Sequence, residues 1–362
     1  MAEDSTHSSH HASSGVSKKM FFAGLAALLL VFVIGFAILY NKAPAATQPS
    51  GDSAALTALS ARVSAIEQKL VPPAVSLKVY YNSKDPFSEP ALAQIAAAQQ
   101  TLTDQGLKIE LEDAAGKLDA LKKQGFSSLP AIYISEQEAV KNPSLYAALQ
   151  KQPKVTGGYK IPVLGFLTSI ETMISLECKP SNSSARLFEF GNPACPQCES
   201  LSAAVANLSK EFGSKLEISF KQYPAGQADA YNASQAVKCA AVQSPQKSAQ
   251  FQGKLLQTQA IPGEWLVGSN NQTQPEATAL EKFGKYATDV GLNATQLSAC
   301  IVSPQSGNMV ESDTSEGITS YEIPQNNALL PVFVVDCKYV FAVEKPADLK
   351  EAVCRARPEL CK

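Results

Sequence analysis

Residues 20–40 constrain the fold of this chain most strongly, because the stretch MFFAGLAALLLVFVIGFAILY contains no charged residue. At 1.5 Å per residue, a helix of about 20 residues crosses a hydrocarbon layer about 30 Å thick. The apolar region of a secretory signal is usually shorter, at about 7–15 residues. We therefore interpret residues 20–40 as a retained, single-pass transmembrane anchor. The alternative is a secretory signal that is cleaved in the Ala- and Pro-rich stretch after Lys42.

The charges beside the anchor predict its orientation. Lys18 and Lys19 directly precede the apolar stretch, and only Lys42 directly follows it. Cytoplasmic flanks carry an excess of Lys and Arg, so this bias favours a cytoplasmic N-terminus. Residues 1–19 then form a Ser- and His-rich disordered cytoplasmic tail. The remainder is predicted to lie on the extracellular side of the cell membrane.

The distribution of histidine and cysteine narrows the chemistry. All three histidines lie within the first eleven residues, which excludes Ser-His-Asp and Cys-His catalysis and removes the commonest zinc ligand. The eight cysteines all follow residue 177, and an even number is typical of an oxidising compartment. A net charge of −2 gives no basic surface of the kind that binds nucleic acid.

Three segments follow the anchor. Residues 41–73 are predicted to be a linker and a short helical stalk, because apolar residues from Leu56 to Leu70 recur at spacings of three and four. These apolar positions cover about two heptads. The helix either forms a coiled coil that joins copies of the chain into an oligomer, or packs on its own domain. Residues 74–170 read as strand, helix, strand, helix, strand, which predicts an α/β domain. Residues 171–362 repeat this pattern, with a helical insertion over about 229–321.

The pair Cys195 and Cys198 stands where the strand RLFEFG gives way to a helix. A zinc site would need a second close cysteine pair, and a purely structural disulfide of this size would add little stability. A redox pair has a physical basis. Pro196 suits a first helical turn, and the N-terminus of a helix stabilises a thiolate. We therefore predict Cys195 as a partly exposed nucleophile and Cys198 as the buried resolving cysteine.

The segment LFEFGNPACPQCESL resembles the active-site segment of thioredoxin-fold proteins, and is most similar to the DsbA-like disulfide oxidoreductases. The resemblance implies that Glu189 is a buried acid that exchanges a proton with Cys198. The alternative for Glu189 is a polar residue on a solvated strand face. It also implies that Leu330-Pro331 is the family's cis-proline, beside the cysteine pair. No metal and no bound cofactor are expected, because the sulfur pair itself carries two electrons.

Gln197 is a departure from the strongly oxidising members, which usually carry a histidine before the second cysteine. A neutral amide gives a weaker hydrogen bond to a thiolate than a charged group does. We therefore expect the pKa of Cys195 to lie between about 3.5, as in DsbA, and about 7, as in thioredoxin.

The first α/β domain resembles the same fold without its chemistry. Leu129-Pro130, in GFSSLPAIYIS, is similar to the segment that carries the cis-proline of thioredoxins, whereas residues 82–86 read NSKDP where a cysteine pair is expected. The predicted fold class is therefore α/β, with tandem thioredoxin-like folds. The first, redox-inactive domain either presents a peptide-binding groove or serves as a spacer.

The resemblance also bears on the other six cysteines. Extra bridges in DsbA-like proteins imply a bond between Cys239 and Cys300 within the helical insertion. Cys354 and Cys361 are close enough in sequence to close a C-terminal loop. Cys337 then pairs with Cys178, or alternatively with Cys354.

The expected function is extracytoplasmic disulfide exchange, with the chain donating its disulfide to exported proteins that carry thiols. The resemblance implies a membrane quinone-linked partner of the DsbB or vitamin K epoxide reductase type for reoxidation. Two alternatives remain at this stage. One is a disulfide isomerase or reductase of the same fold, and the other is a binding or chaperone module whose Cys195–Cys198 pair is only structural.

Overall fold

The computed structural model describes residues 74–163, 165–170, 184–225, 228–261, 263–266, 276–325 and 329–362. The predicted tail (1–19), anchor (20–40) and stalk (41–73) lie outside these ranges, as does Cys178. Within them, every helix is too short or too polar to span a membrane.

The chain divides into two compact units that alternate along the sequence. Within the described residues, the first unit contains 74–77, Leu92–Ile109 and Ser135–Gln152, and the second contains Lys78–Ala91, Glu110–Ile134 and the described part of Pro153–Lys362. The predicted domain boundary after residue 170 does not coincide with this division. All the cysteines described by the structure belong to the second unit.

The elements up to residue 170 include a five-stranded sheet with the order β2-β1-β4-β6-β5. In chain order, these elements are β1 (Val75–Tyr81), α1 (Ser88–Asp104), β2 (Leu107–Asp113), α2 (Leu118–Gln124), β3 (Ser128–Leu129), β4 (Ala131–Ser135), α3 (Glu136–Ala139), α4 (Pro143–Leu149), β5 (Lys154–Val155), β6 (Gly158–Pro162) and β7 (Phe166–Ser169). Strands β1 and β4 pair antiparallel, with Val79 opposite Ile132. The alternating strands and helices predicted from the sequence lie at β1, α1, β2, α2 and β4.

Two helix ends in this region follow from single residues. Helix α2 ends at Gly125, whose φ of 98° lets its N–H reach back to the last carbonyls of the helix. Helix α4 begins after Asn142, whose side chain accepts a hydrogen bond from the Leu145 N–H, and Pro143 occupies the first turn.

The remaining elements form a six-stranded sheet with the order β3-β7-β11-β10-β8-β9 and the helices around it. In chain order, they are β8 (Ala185–Gly191), α5 (Pro196–Phe212), β9 (Leu216–Gln222), α6 (Ala228–Gln243), α7 (Pro245–Thr258), α8 (Glu276–Asp289), α9 (Ala294–Ile301), α10 (Pro304–Tyr321), β10 (Val332–Val335), β11 (Tyr339–Ala342) and α11 (Pro346–Ala356). Strand β8 runs parallel to β9 and antiparallel to β10. Strands β3 and β7 join this sheet although they lie in the segment predicted as the first domain.

The alternation of side chains along β8 separates two layers. Leu187 packs in one buried cluster with residues of α5 and α11, such as Leu201 and Leu349. Phe188 and Phe190 belong to the opposite cluster, with Tyr321 of α10. Because successive side chains of a strand alternate between faces, Glu189 lies on the α5 side.

Helices α6 to α10 form a separate hydrophobic core, which corresponds to the predicted insertion over about 229–321. Trp265, the only tryptophan of the sequence, is buried in this core, and its ring lies 5.9 Å from that of Phe283. The Cys239–Cys300 disulfide joins α6 to α9 across it.

Phe87 shows how the segment after β1 contributes to the second unit. Its ring is stacked on Phe166 of β7 and Phe341 of β11, at centroid distances of 5.6 and 5.5 Å. Phe87 is 1% exposed and belongs to the same buried cluster as α5 and α11. The NSKDP segment that precedes Phe87 therefore leads into the core of the six-stranded sheet.

Candidate active site

A disulfide joins Cys195 and Cys198 at the N-terminus of α5, with their Cα atoms 5.2 Å apart. Cys195 is the N-cap, with φ −90° and ψ 110°, and Pro196 occupies the first turn. The Cys195 Sγ accepts a hydrogen bond of 3.0 Å from the Cys198 N–H. This sulfur therefore lies where the free N–H groups of a helix favour negative charge.

Both cysteine residues are buried. Cys195 is 7% exposed and Cys198 is 1% exposed. Cys195 is therefore more covered than the partly exposed position that we predicted. The reason is that Leu256 of α7 and Leu330, before β10, pack against the two cysteines. Cys195 still has the larger exposed fraction of the two residues.

The backbone of Cys195 is held on both sides. Its N–H donates to the Asn192 carbonyl at 3.2 Å, and its carbonyl accepts from Glu199 N and from Gln259 Nε2, both at 3.3 Å. The Asn192 side chain in turn accepts from Ala194 N and donates to the Tyr223 carbonyl, at 2.9 Å each. Asn192 and Gln259 were not among the site residues predicted from the sequence. Asn192 lies within the recognised segment, whereas no motif marks Gln259.

Glu189 lies on β8, opposite Phe333 of β10, and is 3% exposed. The alternative of a solvated strand face is therefore wrong. Burial raises the pKa of the Glu189 carboxyl to about 8. Its Oε2 atom has no hydrogen-bond partner among the described residues. At neutral pH the carboxyl is therefore largely protonated, and it can donate a proton.

Gly191 provides the space that brings these groups together. A Cβ atom at this position would lie 2.9 Å from Cys198 Sγ, 3.8 Å from Glu189 Oε1 and 3.7 Å from Pro331 Cβ. The Cys198 sulfur, the Glu189 carboxyl and Pro331 therefore converge on a backbone that carries no side chain.

The supporting residues lie as follows. The Leu330-Pro331 peptide bond is cis and directly precedes β10, and the Leu129-Pro130 bond before β4 is also cis. The Gln197 amide donates a hydrogen bond to the backbone carbonyl of Glu344. Gln197 thus holds the active-site turn to the segment before α11.

The other cysteines described by the structure are all disulfide-bonded. Cys239 pairs with Cys300, and Cys354 pairs with Cys361. Cys337 is also disulfide-bonded. Because Cys354 is bonded to Cys361, the alternative pairing of Cys337 with Cys354 is wrong. Within the described part of the chain, no group of three or more His, Cys, Asp or Glu residues is arranged to hold a metal ion.

A family model described as thioredoxin matches residues 180–353. Among solved structures, BdbD from Bacillus subtilis is 17% identical, with a TM-score of 0.40, and the match covers 52% of this chain and 96% of that chain. A thioredoxin-like oxidoreductase from Silicibacter pomeroyi is 20% identical, with a TM-score of 0.37 and coverage of 49% and 88%. DsbA from Pseudomonas aeruginosa is 12% identical, with a TM-score of 0.38 and coverage of 51% and 90%. No curated protein matches the sequence. The family-model match identifies residues 180–353 as a thioredoxin-like domain, and the described part of it is mixed α/β.

Proposed function

We propose that the chain is a membrane-anchored thiol–disulfide oxidoreductase that oxidises exported proteins outside the cell membrane. The observation that carries this proposal is the disulfide at the N-terminus of α5, with its Cys198 sulfur and the buried Glu189 both against Gly191. The uncharged stretch 20–40 supports the anchor, and the even set of cysteines supports an oxidising compartment.

The first step is attack on Cys195. A substrate thiolate attacks the Cys195 Sγ, the bond between Cys195 and Cys198 breaks, and the Cys198 sulfur leaves with the electron pair. The chain and the substrate are then joined by a mixed disulfide at Cys195. The new Cys198 thiolate takes a proton from Glu189, whose raised pKa keeps its carboxyl largely protonated at neutral pH.

The second step releases the product. A second substrate thiolate attacks the substrate sulfur of the mixed disulfide, and Cys195 leaves as a thiolate stabilised by the α5 N-terminus. The substrate loses two electrons, which the chain gains. Two protons leave the substrate thiols, of which one replaces the proton given by Glu189 and the other enters the solvent.

Reoxidation completes the cycle in this proposal. The reduced Cys195–Cys198 pair passes two electrons to a membrane quinone-linked partner of the DsbB or vitamin K epoxide reductase type. The domain predicted over 74–170 has no cysteine, so it takes no part in the exchange. We assign this segment a redox-inactive role.

Trapping of the mixed disulfide tests the exchange. The full-length Cys198→Ser variant, in detergent, is reduced and incubated with an oxidised peptide that contains a disulfide. A mixed disulfide with Cys195 is expected to accumulate, because the resolving sulfur is absent. The matched Cys195→Ser variant should trap much less. Equal trapping in both variants, or none in either, would support a structural disulfide on a binding module instead.

Equilibration with glutathione tests the direction. An oxidase predicts a reduction potential for the Cys195–Cys198 pair of about −120 to −180 mV. A value near that of thioredoxin, about −270 mV, would overturn the oxidase role and favour a reductase.

A further inference from the structure

We propose that Gln259 is a positioning residue that sets the reactivity of Cys195 by holding its peptide group from the helical insertion. The inference rests on the proposed exchange reaction and identifies how the insertion acts on it. Gln259 directly follows α7, and lies 64 residues from Cys195 in the sequence.

Only one orientation of the Gln259 side-chain amide allows a hydrogen bond to the Cys195 carbonyl. The Cys195 carbonyl is an acceptor, so the amide nitrogen of Gln259 must face it, at 3.3 Å. The other amide atom, Oε1, is then directed elsewhere, and is buried without a hydrogen-bond partner among the described residues. Gln259 itself is 6% exposed.

The buried Gln259 amide contributes less to the stability of the fold than an apolar side chain would. A buried acceptor without a partner costs more than an apolar side chain of similar size would. The donated hydrogen bond reaches the backbone of the reactive cysteine. The residue is therefore better explained by an effect on Cys195 than by packing.

The turn that carries Gln259 is itself fixed. The Trp265 Nε1–H lies 3.2 Å from the Leu255 carbonyl and 3.2 Å from Thr258 Oγ1, at the end of α7. Trp265 is 2% exposed. The insertion therefore presents the Gln259 amide from a rigid support, which is what precise positioning requires.

The hydrogen bond acts on the geometry of the N-cap. The Cys195 Sγ accepts from the Cys198 N–H at 3.0 Å, and the Gln259 amide contacts the carbonyl of the peptide group between Cys195 and Pro196. The Gln259 amide and the Glu199 N–H share control of that peptide group. Without the amide, the peptide group is less constrained, and the helix N-terminus stabilises the Cys195 thiolate less well.

The experiment compares the Cys195 pKa in two variants, one at the residue after α7 and one within α7. Gln259→Leu removes the amide that contacts Cys195. Gln252→Leu is the matched control, because Gln252 lies on α7, is equally buried at 7% exposure, and bonds Gln222 instead. Both variants keep the charged side chains on the elements around Cys195, which are Arg186 and Glu189 on β8, Glu199, Lys210 and Glu211 on α5, Lys247 and Lys254 on α7, and Glu344 before α11.

The readout is the pH profile of Cys195 alkylation in the reduced full-length protein, resolved by peptide mass spectrometry. We expect Gln259→Leu to raise the pKa of Cys195 by about half a unit to one unit. Gln252→Leu should leave the profile unchanged. Unfolding followed by Trp265 fluorescence establishes that both variants are folded.

Two results would overturn the inference. One is an unchanged profile in Gln259→Leu, and the other is an equal shift in both variants. Either result leaves the proposed function intact if the unsubstituted protein exchanges disulfides. If the unsubstituted protein does not exchange disulfides, the proposed function fails on its own.

Discussion

Gly191 and Glu189 lie on the same face of β8 and contribute different properties to the site. Gly191 leaves space for the Cys198 sulfur, and Glu189 carries a proton. Gly191 offers room, because a Cβ there would approach Cys198 Sγ to 2.9 Å, a distance that real contacts essentially never show. Glu189 can supply a proton, because burial raises the pKa of its carboxyl to about 8. The chemistry assigned to Cys198 depends on both residues.

Gly191→Ala should destabilise the oxidised protein by roughly 1–3 kcal/mol, because the Cys198 sulfur is held by the disulfide and cannot move aside. Gly253→Ala is the matched control, since a Cβ at Gly253 of α7 meets no atom within 4 Å. That variant should be neutral or slightly stabilising. Urea unfolding measures both. Equal stability changes would contradict the close contact at Gly191.

Glu189→Gln should change how stability depends on pH. The pKa of Glu189 is raised by burial from 4.5 to about 8, so the folded chain keeps a proton that the unfolded chain has already lost. Stability from this group is therefore present below pH 4.5 and is lost as pH rises to about 8. The total is on the order of a few kcal/mol. The variant should lack this part of the slope, which unfolding at pH 5 and pH 8 would measure; parallel slopes would refute the assignment.

At the scale of elements, the strand β8 and the helix α5 were predictable because their signals are local. A short apolar strand, a cysteine and a proline at the first turn specify the junction within a few residues. The contact of Gln259 with Cys195 was not predictable, because 64 residues separate them. The apolar periodicity of α7 also does not indicate which residues contact the end of the helix. The pairing of β7 with β11 is a long-range contact of the same kind.

The disulfides of the second unit should differ in how easily they are reduced. Cys354 and Cys361 are separated by 7 residues, and Cys239 and Cys300 by 61. In the loop-entropy description, the longer loop restricts the unfolded chain more, so Cys239–Cys300 stabilises the fold by roughly 2 kcal/mol more than Cys354–Cys361 does. Cys361 is also exposed, whereas Cys239 is 1% exposed.

Graded reduction of the native protein, followed by alkylation and mass spectrometry, should therefore open Cys354–Cys361 before Cys239–Cys300. The active-site pair serves as the internal reference. Simultaneous opening of both structural disulfides would mean that exposure does not govern the order in which they are reduced.

At the scale of the whole molecule, the second unit is assembled from segments that the sequence suggests are separate. Phe87 follows β1, yet it packs with Phe166 and Phe341 in the core beside α5. Composition and periodicity identify each α/β segment, but they do not reveal which sheet a short strand such as β3 joins. The thioredoxin-like domain therefore depends on residues well before its first cysteine.

Phe87→Ala should destabilise the second unit by about 3–5 kcal/mol, because a fully buried aromatic side chain is lost. Phe220→Ala is the control, since Phe220 of β9 is 38% exposed and should lose much less. Urea unfolding followed by Trp265 fluorescence measures both variants. A small, equal effect would contradict the packing of Phe87 in this core.

The pKa of Cys195 in the reduced protein tests the central claim most directly, since disulfide exchange at this site requires a stabilised thiolate. Thiolate absorbance is titrated in the full-length protein, with Cys195→Ser subtracted as the reference. We expect a Cys195 pKa below about 7, whereas an unperturbed thiol titrates near 8.5. A Cys195 pKa of about 8.5 or higher would contradict it.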